Sequence, residues 1–414
     1  MRGSRTRLSP APAGADRDIG SLFALIGAAG AIFIPFFAVL LRTRGLTADK
    51  IGLVLAIASF AGVVAAPVWS HVADGRLGTI RTLRASFVAT TALALALMPT
   101  GGSLVAIAVI AGLIGSVQAP ITPLANALAL THLGPDREIE FGRIRLWTSI
   151  GWAVAVVAAG AWFQHAGLTT LLPLFAAAIA LCAGLTARFP TERPSHRRRR
   201  ASRLGSVGEA FHAPRFALFL GGVFLMSVAS SAAWSFVPLR IAARGGGPFL
   251  IGLSAGLAAL IEIPFFRAGA RLTARFGLRT LYAMGAAVYV ATMVAWSLTA
   301  DPTVVAAVKA LGGIGFGMIY GAVVVITGRM VPDHLRNTGQ TVVQTTSMGI
   351  APIIGSGLGG LVWVHLGPTT LFASAAACAT LGTAVVWVAL SGDVVAGTSS
   401  PVPPDAAPGP AGPT

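Results

Sequence analysis

The sequence predicts an all-α membrane protein whose twelve transmembrane helices form two pseudo-symmetric six-helix bundles. Three observations carry that expectation. Mean hydropathy over the whole chain is +0.78. Only 11 % of its 414 residues are charged, less than half of what soluble domains carry. Similar segments also recur about 200 residues apart. Such a composition excludes a soluble enzyme on one or two anchors, and equally a disordered, fibrous or disulfide-stapled chain. Lipid requires each spanning segment to satisfy its own backbone groups. The apolar runs are long enough for helices of about 20 residues, and they are not the short alternating strands of an outer-membrane barrel.

Met1 to Asp18 is polar and carries arginines, without an apolar core directly behind them or an Ala-x-Ala cleavage site. That predicts a cytosolic tail over 1–18 rather than a signal peptide. Spans are expected at 19–41, 51–73, 85–99 (beginning earlier than drawn), 104–131, 146–164 and 169–187, an N-terminal bundle over 19–187. A basic cytosolic linker over 188–215 contains four consecutive arginines, Arg197 to Arg200, and is read as a solvated, topology-fixing segment. The second set, 216–238, 250–268, 280–299, 303–328, 339–364 and 369–391, makes a C-terminal bundle over 216–391. Residues 392–414 are rich in Pro, Gly and Ala, cannot bury a core, and are expected to be disordered.

Charge sets the orientation. The net charge of +16 is spread in short clusters between apolar runs, the pattern of orientation signals rather than of a nucleic-acid-binding surface. With the amino terminus inside, 24 of the 30 Lys and Arg residues fall in inner segments. The outer loops hold Arg42, Arg44, Lys50, Arg240 and Arg244. Both termini are therefore expected in the cytosol, and the chain in the cytoplasmic membrane among its lipids, as a monomer.

The repeat is visible residue by residue. Ile51-Gly52-Leu53 opens span 2 and Ile251-Gly252-Leu253 opens span 8. The turns that follow contain Arg76-Leu77-Gly78 and Arg275-Phe276-Gly277, 199 residues apart. Cys182 and Cys378 sit at matching places in spans 6 and 12 and read as small packing residues. Two copies of six spans in one orientation describe a transporter architecture whose halves are related by an axis along the membrane normal, with the substrate site between them.

On these features the sequence resembles the major facilitator superfamily over nearly all of 19–391. The turn after span 2 resembles that family's Gly-x-x-x-Asp-Arg-x-Gly-Arg-Arg loop through Asp74, Arg76, Gly78 and Arg81, with Ser70 or His71 in place of the opening Gly. A carboxylate at a helix end beside arginines can latch one face shut, and Gly78 permits the tight turn, so these four are the expected gate. Glu140-Phe141-Gly142-Arg143-Ile144-Arg145 through Gly151-Trp152 resembles a segment of the lactose-permease branch, which includes nucleoside and phenylpropionate permeases. Pro123-Leu124-Ala125-Asn126-Ala127-Leu128 is similar to Pro-Leu-x-Asp-Ala-Leu in the same branch, with Asn126 in place of the acid.

Of the fourteen acidic residues, Glu262 alone lies well inside a span. A charge at such depth costs at least ~2.5–3.5 kcal/mol and normally faces a cavity or a partner. A carboxyl group that alternates between a protonated and an ion-paired state is what a proton-coupled carrier needs. The resemblance implies that Glu262 faces Arg145 across a central cavity, with Trp152 stacking on a sugar ring. Arg145 and Trp152 are seven residues apart and share a helix face. Asn126 and Gln118 in span 4 are the further expected substrate contacts. The His and Glu that couple protons in lactose permease are missing here, since Lys309-Ala310-Leu311-Gly312 replaces Lys-x-Leu-His and Gly315 stands at the Glu position. Lys309 is expected to snorkel to the outer interface.

Other patterns carry no chemistry. Gly355 to Gly360 matches G-x-G-x-x-G without a preceding strand and reads as close helix packing. The seven histidines lack metal-ligand spacing. With no nucleophile–base pair and no phosphate loop, neither an enzyme nor ATP-driven transport is expected, and no cofactor or metal. The expected function is a secondary active transporter of a small organic solute, a sugar first, working by alternating access, with proton coupling through Glu262 alone or none. An exporter of drugs or natural products on the same fold is the alternative, and a transport-inactive sensor a third class.

Overall fold

The computed structural model describes residues 15–133, 141–189 and 214–391. The described residues are helical almost throughout, as the absence of water from a lipid core demands. In the first half, α1 is Ala15–Thr43, α2 Ala48–Val72, α3 Gly78–Ala96, α4 Leu104–Leu133, α5 Phe141–Ala166 and α6 Leu171–Thr186. In the second half, α7 is Pro214–Ala243 and α10 is Pro302–Met330. Two longer runs each contain two spans. The run Pro248–Leu298 breaks at Gly277 into α8 (248–276) and α9 (278–298). The run Arg336–Ala389 breaks at Gly367 into α11 (336–366) and α12 (368–389).

Among the described residues, ten continuous runs therefore hold twelve spans, as expected from the sequence. Most observed boundaries lie within a few residues of the expected ones; α3 does begin earlier, and α1 begins at Ala15, inside the segment read as tail. Most of the basic linker, Glu140 and the C-terminal tail lie outside the described residues.

The repeat extends into backbone geometry. Gly78 has φ 75° and ψ 167°, and Gly277 has φ 76° and ψ 159°. This region of φ/ψ space is essentially closed to any residue with a Cβ, at about 1–3 kcal/mol. It lets the chain reverse direction between α2 and α3, and again between α8 and α9. Gly45 and Gly245 repeat the pattern at the α1–α2 and α7–α8 turns, and Gly167 and Gly367 at the turns into the sixth and twelfth spans.

Close packing repeats too. Gly151 of α5 lies against the Ala24 carbonyl of α1, and Gly355 of α11 lies against the Val228 carbonyl of α7. Gly115 of α4 rests on the Ala58 carbonyl of α2, and Gly313 of α10 on the Ala258 carbonyl of α8. Lipid tails are as apolar as leucine, so backbone-to-backbone approach of this kind replaces the hydrophobic effect as the force that holds neighbouring helices. Helix ends are fixed by arginines: Arg44 donates to the Leu97 carbonyl at 2.9 Å in one half, and Arg240 to the Thr299 carbonyl at 2.9 Å in the other.

The two halves meet at one end and part toward the other. Burial in α2 is confined to Ala48–Ala56, and along α8 it ends at Ala259. At the closed end, Gly52 lies against the Ser356 carbonyl and a Cβ on Gly360 would lie 2.5 Å from the Ala48 carbonyl oxygen. The other seam is equally tight, since a Cβ on Gly160 would lie 2.8 Å from the Pro248 carbonyl oxygen. The Phe249 N–H also donates to Gln164 Oε1 at 3.4 Å, from α8 to α5. Toward the open end, Phe266, Trp147 and Met348 are exposed.

Candidate functional site

A cavity of about 670 Å³ lies between the halves. Its walls are helix faces, regular everywhere except along part of α11. Ser227, Ser230, Ser231, Trp234, Ser235 and Pro238 follow helical spacing along one stripe of α7. Ala255, Ala258, Ala259 and Glu262 do the same on α8, and Lys309, Gly313, Phe316, Tyr320 and Val323 on α10. The first half contributes Ile34, Pro35 and Ala38 from α1, Leu55 from α2, and Thr148, Ser149 and Trp152 from α5. Tyr289 of α9 and Ser347, Met348 and Pro352 of α11 also line it, as do Val223 and Met226 of α7 and Ile319 of α10.

Small residues place these side chains. Gly313 brings α10 onto the backbone of α8, so Lys309 and Glu262 open into one space. A Cβ on Gly312 would lie 3.0 Å from the Trp234 ring, so the glycine lets the indole approach α10 closely. Trp234 is also packed edge-on to Trp296, with ring centres 5.6 Å apart, and 5.9 Å from Tyr289. On the other wall, a Cβ on Gly30 would lie 3.1 Å from the Trp152 ring. In α11 a wide turn over Thr345–Ile350 departs from the regular helix and includes Ser347 and Met348. Such turns recur at functional positions.

Glu262 is half-buried, and Lys309 is only 4 % exposed. Among the described residues neither makes an ion pair or a hydrogen bond. Lys309 does not snorkel: Asp301 caps α10 by accepting from Thr303 N at 2.8 Å, and Lys309 lies eight residues beyond it, about 12 Å along the helix. That rise carries it into the cavity wall and away from the interface.

The sequence-predicted site divides. Trp152 and Glu262 both line the cavity. Arg145 lies on the same stripe of α5 as Thr148 and Trp152, but one turn nearer the open end, where it is exposed and does not meet Glu262. The expected Arg145–Glu262 pair is therefore not formed. Gln118 and Asn126 are half-buried on α4, which packs behind α2 and lends no residue to this cavity. Asp74 and Arg81 are exposed at the open end, Gly78 makes the turn, and the Arg76 side chain lies outside the described residues. A wide turn over Ala73–Leu77 carries this motif.

Sequence reasoning missed the serine stripe, Trp234, Tyr289 and the placement of Lys309. The stripe had a signal, serines at 227, 230, 231 and 235 on one helix face in an otherwise apolar span. Lys309 had one as well, a cation eight residues into a span.

The family model described as MFS_1 like family matches residues 20–374. A maltose permease from Geobacillus stearothermophilus is 29 % identical over 340 residues, covering 81 % of this chain and 82 % of that protein. A probable 3-phenylpropionic acid transporter from Escherichia coli K12 is 26 % identical over 279 residues, 66 % of this chain and 70 % of that one. Among solved structures, the nucleoside transporter NupG superposes with a TM-score of 0.79 at 15 % identity, over 92 % of this chain and 100 % of that one. A bacterial homologue of the lysosomal transporter Spinster, in an inward-facing and unoccupied conformation, gives 0.65 at 13 % identity over 90 % and 96 %.

Proposed function

The chain belongs to the MFS_1 like family, within the major facilitator superfamily, and from that premise we propose that it carries a sugar or glycoside-like solute by proton-coupled alternating access. It is a multi-pass membrane transporter of small solutes. The observation that carries the finer reading is the cavity between the halves, where indole faces, a row of hydroxyls and one carboxyl group converge. An indole face suits the apolar face of a pyranose, and serine hydroxyls both donate and accept toward sugar hydroxyls. The similarity to a maltose permease supports the same solute class.

Glu262 is the proposed proton carrier. Proton release and uptake at a carboxyl group inside the cavity ties its charge to which end of the cavity is open. With the arginine-rich segments on the cytosolic side, the sealed end faces outward, so this conformation is open to the cytosol. Both termini are then cytosolic, in the cytoplasmic membrane. Asp74, Arg76, Gly78 and Arg81 sit at the open end, where closure brings a latch into play. The protein is proposed to act as a monomer in contact with lipid and to perform no covalent chemistry.

Trp152 tests the site directly. Trp152→Ala is expected to weaken sugar binding by about tenfold, whereas Trp152→Phe stays close to the parent because an aromatic face remains. Calorimetric titration with a glycoside panel measures both, and equal affinity in the parent and the alanine variant contradicts the assignment. The apolar lining, including Met226, Phe316 and Met348, favours a second reading, export of an amphipathic natural product. That reading predicts altered cellular resistance or accumulation with no protection of Trp152 by sugars. A transport-inactive sensor predicts ligand binding with no flux into proteoliposomes under any gradient.

A further inference from the structure

Among the described residues, Lys309 is the one charged cavity residue that proton coupling through Glu262 does not use. It is 4 % exposed, lines the cavity, and has no acid or hydrogen-bond acceptor among the described residues. Isolated buried ammonium groups are strongly unfavourable and are normally found paired or facing a functional pathway. The groups facing the same space are Glu262 of α8, Tyr289 of α9 and Tyr320 of α10. Glu262 opens into it without pairing to Lys309. The neighbouring wall on α7 offers serines and Trp234, with no carboxylate.

We propose that Lys309 is a carboxylate-binding residue, and that the cargo is a sugar acid: a hydroxylated ring bearing one carboxylate group. The inference rests on the carrier reading above and narrows its substrate class. A carboxylate brought in by the cargo supplies the acceptor that the protein withholds from the Lys309 ammonium, a compact group with three donors. The carboxylate reaches the ammonium while the ring lies against indole and its hydroxyls meet the serine stripe. A single ammonium, with no arginine among the described lining residues, balances the one negative charge of a carboxylate and leaves the second charge of a phosphate dianion unmatched.

Two probes that differ at one carbon test this. 4-Nitrophenyl β-D-glucuronide carries a carboxylate where 4-nitrophenyl β-D-glucoside carries a hydroxymethyl group. In titrations of the purified full-length protein, the glucuronide is expected to bind at least tenfold more tightly than the glucoside. Lys309→Met should erase that preference by weakening the glucuronide alone, and Lys309→Arg should retain most of it. Lys309→Met is expected to fold, because exchanging a buried unpaired charge for an apolar chain of similar volume removes a cost, and a thermal melt verifies it. A parent that binds the glucoside as well as the glucuronide, or a methionine variant that keeps the preference, overturns the proposal. Binding of neither probe overturns it too. The carrier reading is tested apart by counterflow in proteoliposomes: glucoside flux without a charge preference sinks the sugar-acid class and leaves the carrier standing.

Discussion

Glu262→Gln is expected to abolish uphill accumulation driven by a pH gradient while leaving downhill exchange of the solute intact. Glutamine keeps the shape and the hydrogen-bonding capacity of a protonated carboxyl group but cannot release a proton. The variant is thus held in the loaded form on both sides of the membrane. The groups that share its cavity, Lys309, Tyr289 and Tyr320, remain in place. In the parent, accumulation rises as the side from which protons enter is made more acidic, and in Glu262→Gln it is flat. The loss should reach at least a hundredfold in the accumulation ratio, against a less than threefold change in exchange rate. Proteoliposomes with an imposed gradient measure both quantities. Normal uphill transport in the variant removes Glu262 from coupling.

The second large effect comes from the seal. Gly52 and Gly252 sit at corresponding places in the two halves, where a side chain would meet the Ser356 carbonyl of α11 and the Val156 carbonyl of α5. Backbone cannot give way as a flexible side chain would. Leucine at both positions is therefore expected to wedge the closed end open, while each six-helix half keeps its own packing. Net flux should fall at least fiftyfold with the fold preserved. Ser235 lines the cavity on α7 and serves as the reporter. With Cys182 and Cys378 replaced by Ala, a Ser235→Cys reporter should react with a membrane-impermeant thiol reagent added at the closed face only in the double-leucine variant. Unchanged reactivity and unchanged flux would mean that the two glycine contacts are not the barrier.

Much of the fold was legible because lipid leaves the chain few options. Span lengths, arginine placement and the Ile-Gly-Leu repeat sufficed to order twelve helices, and the Arg-x-Gly recurrence marked two turns that the backbone makes at positive φ. The site was only half legible. Glu262 and Trp152 announced themselves as an acid in a span and an aromatic residue in a recognisable segment. Arg145 did not reach the cavity, because a shared helix face says nothing about depth, and it lies a full turn toward the open end. Asn126 and Gln118 stand outside the cavity for another reason: which helix is in front depends on the contact of Gly115 with Ala58, invisible to a motif. Lys309 looked like an interface lysine until the Asp301 cap set how far along α10 it lies. The serine stripe needed only a face to be chosen, and nothing in the span identified that face.

Alternating access itself is tested most directly by distances across the two ends of the molecule. One pair of spin labels at Thr43→Cys and Arg244→Cys reports the closed end, and a second pair at Arg81→Cys and Arg275→Cys reports the open end, each on the background without Cys182 and Cys378. Pulsed electron resonance between pH 5.5 and 8.5 should resolve two populations whose distances change in opposite senses, one end widening as the other narrows. A single population at every pH, or two ends that widen together, would contradict a carrier in which two rigid halves expose one cavity to each side in turn.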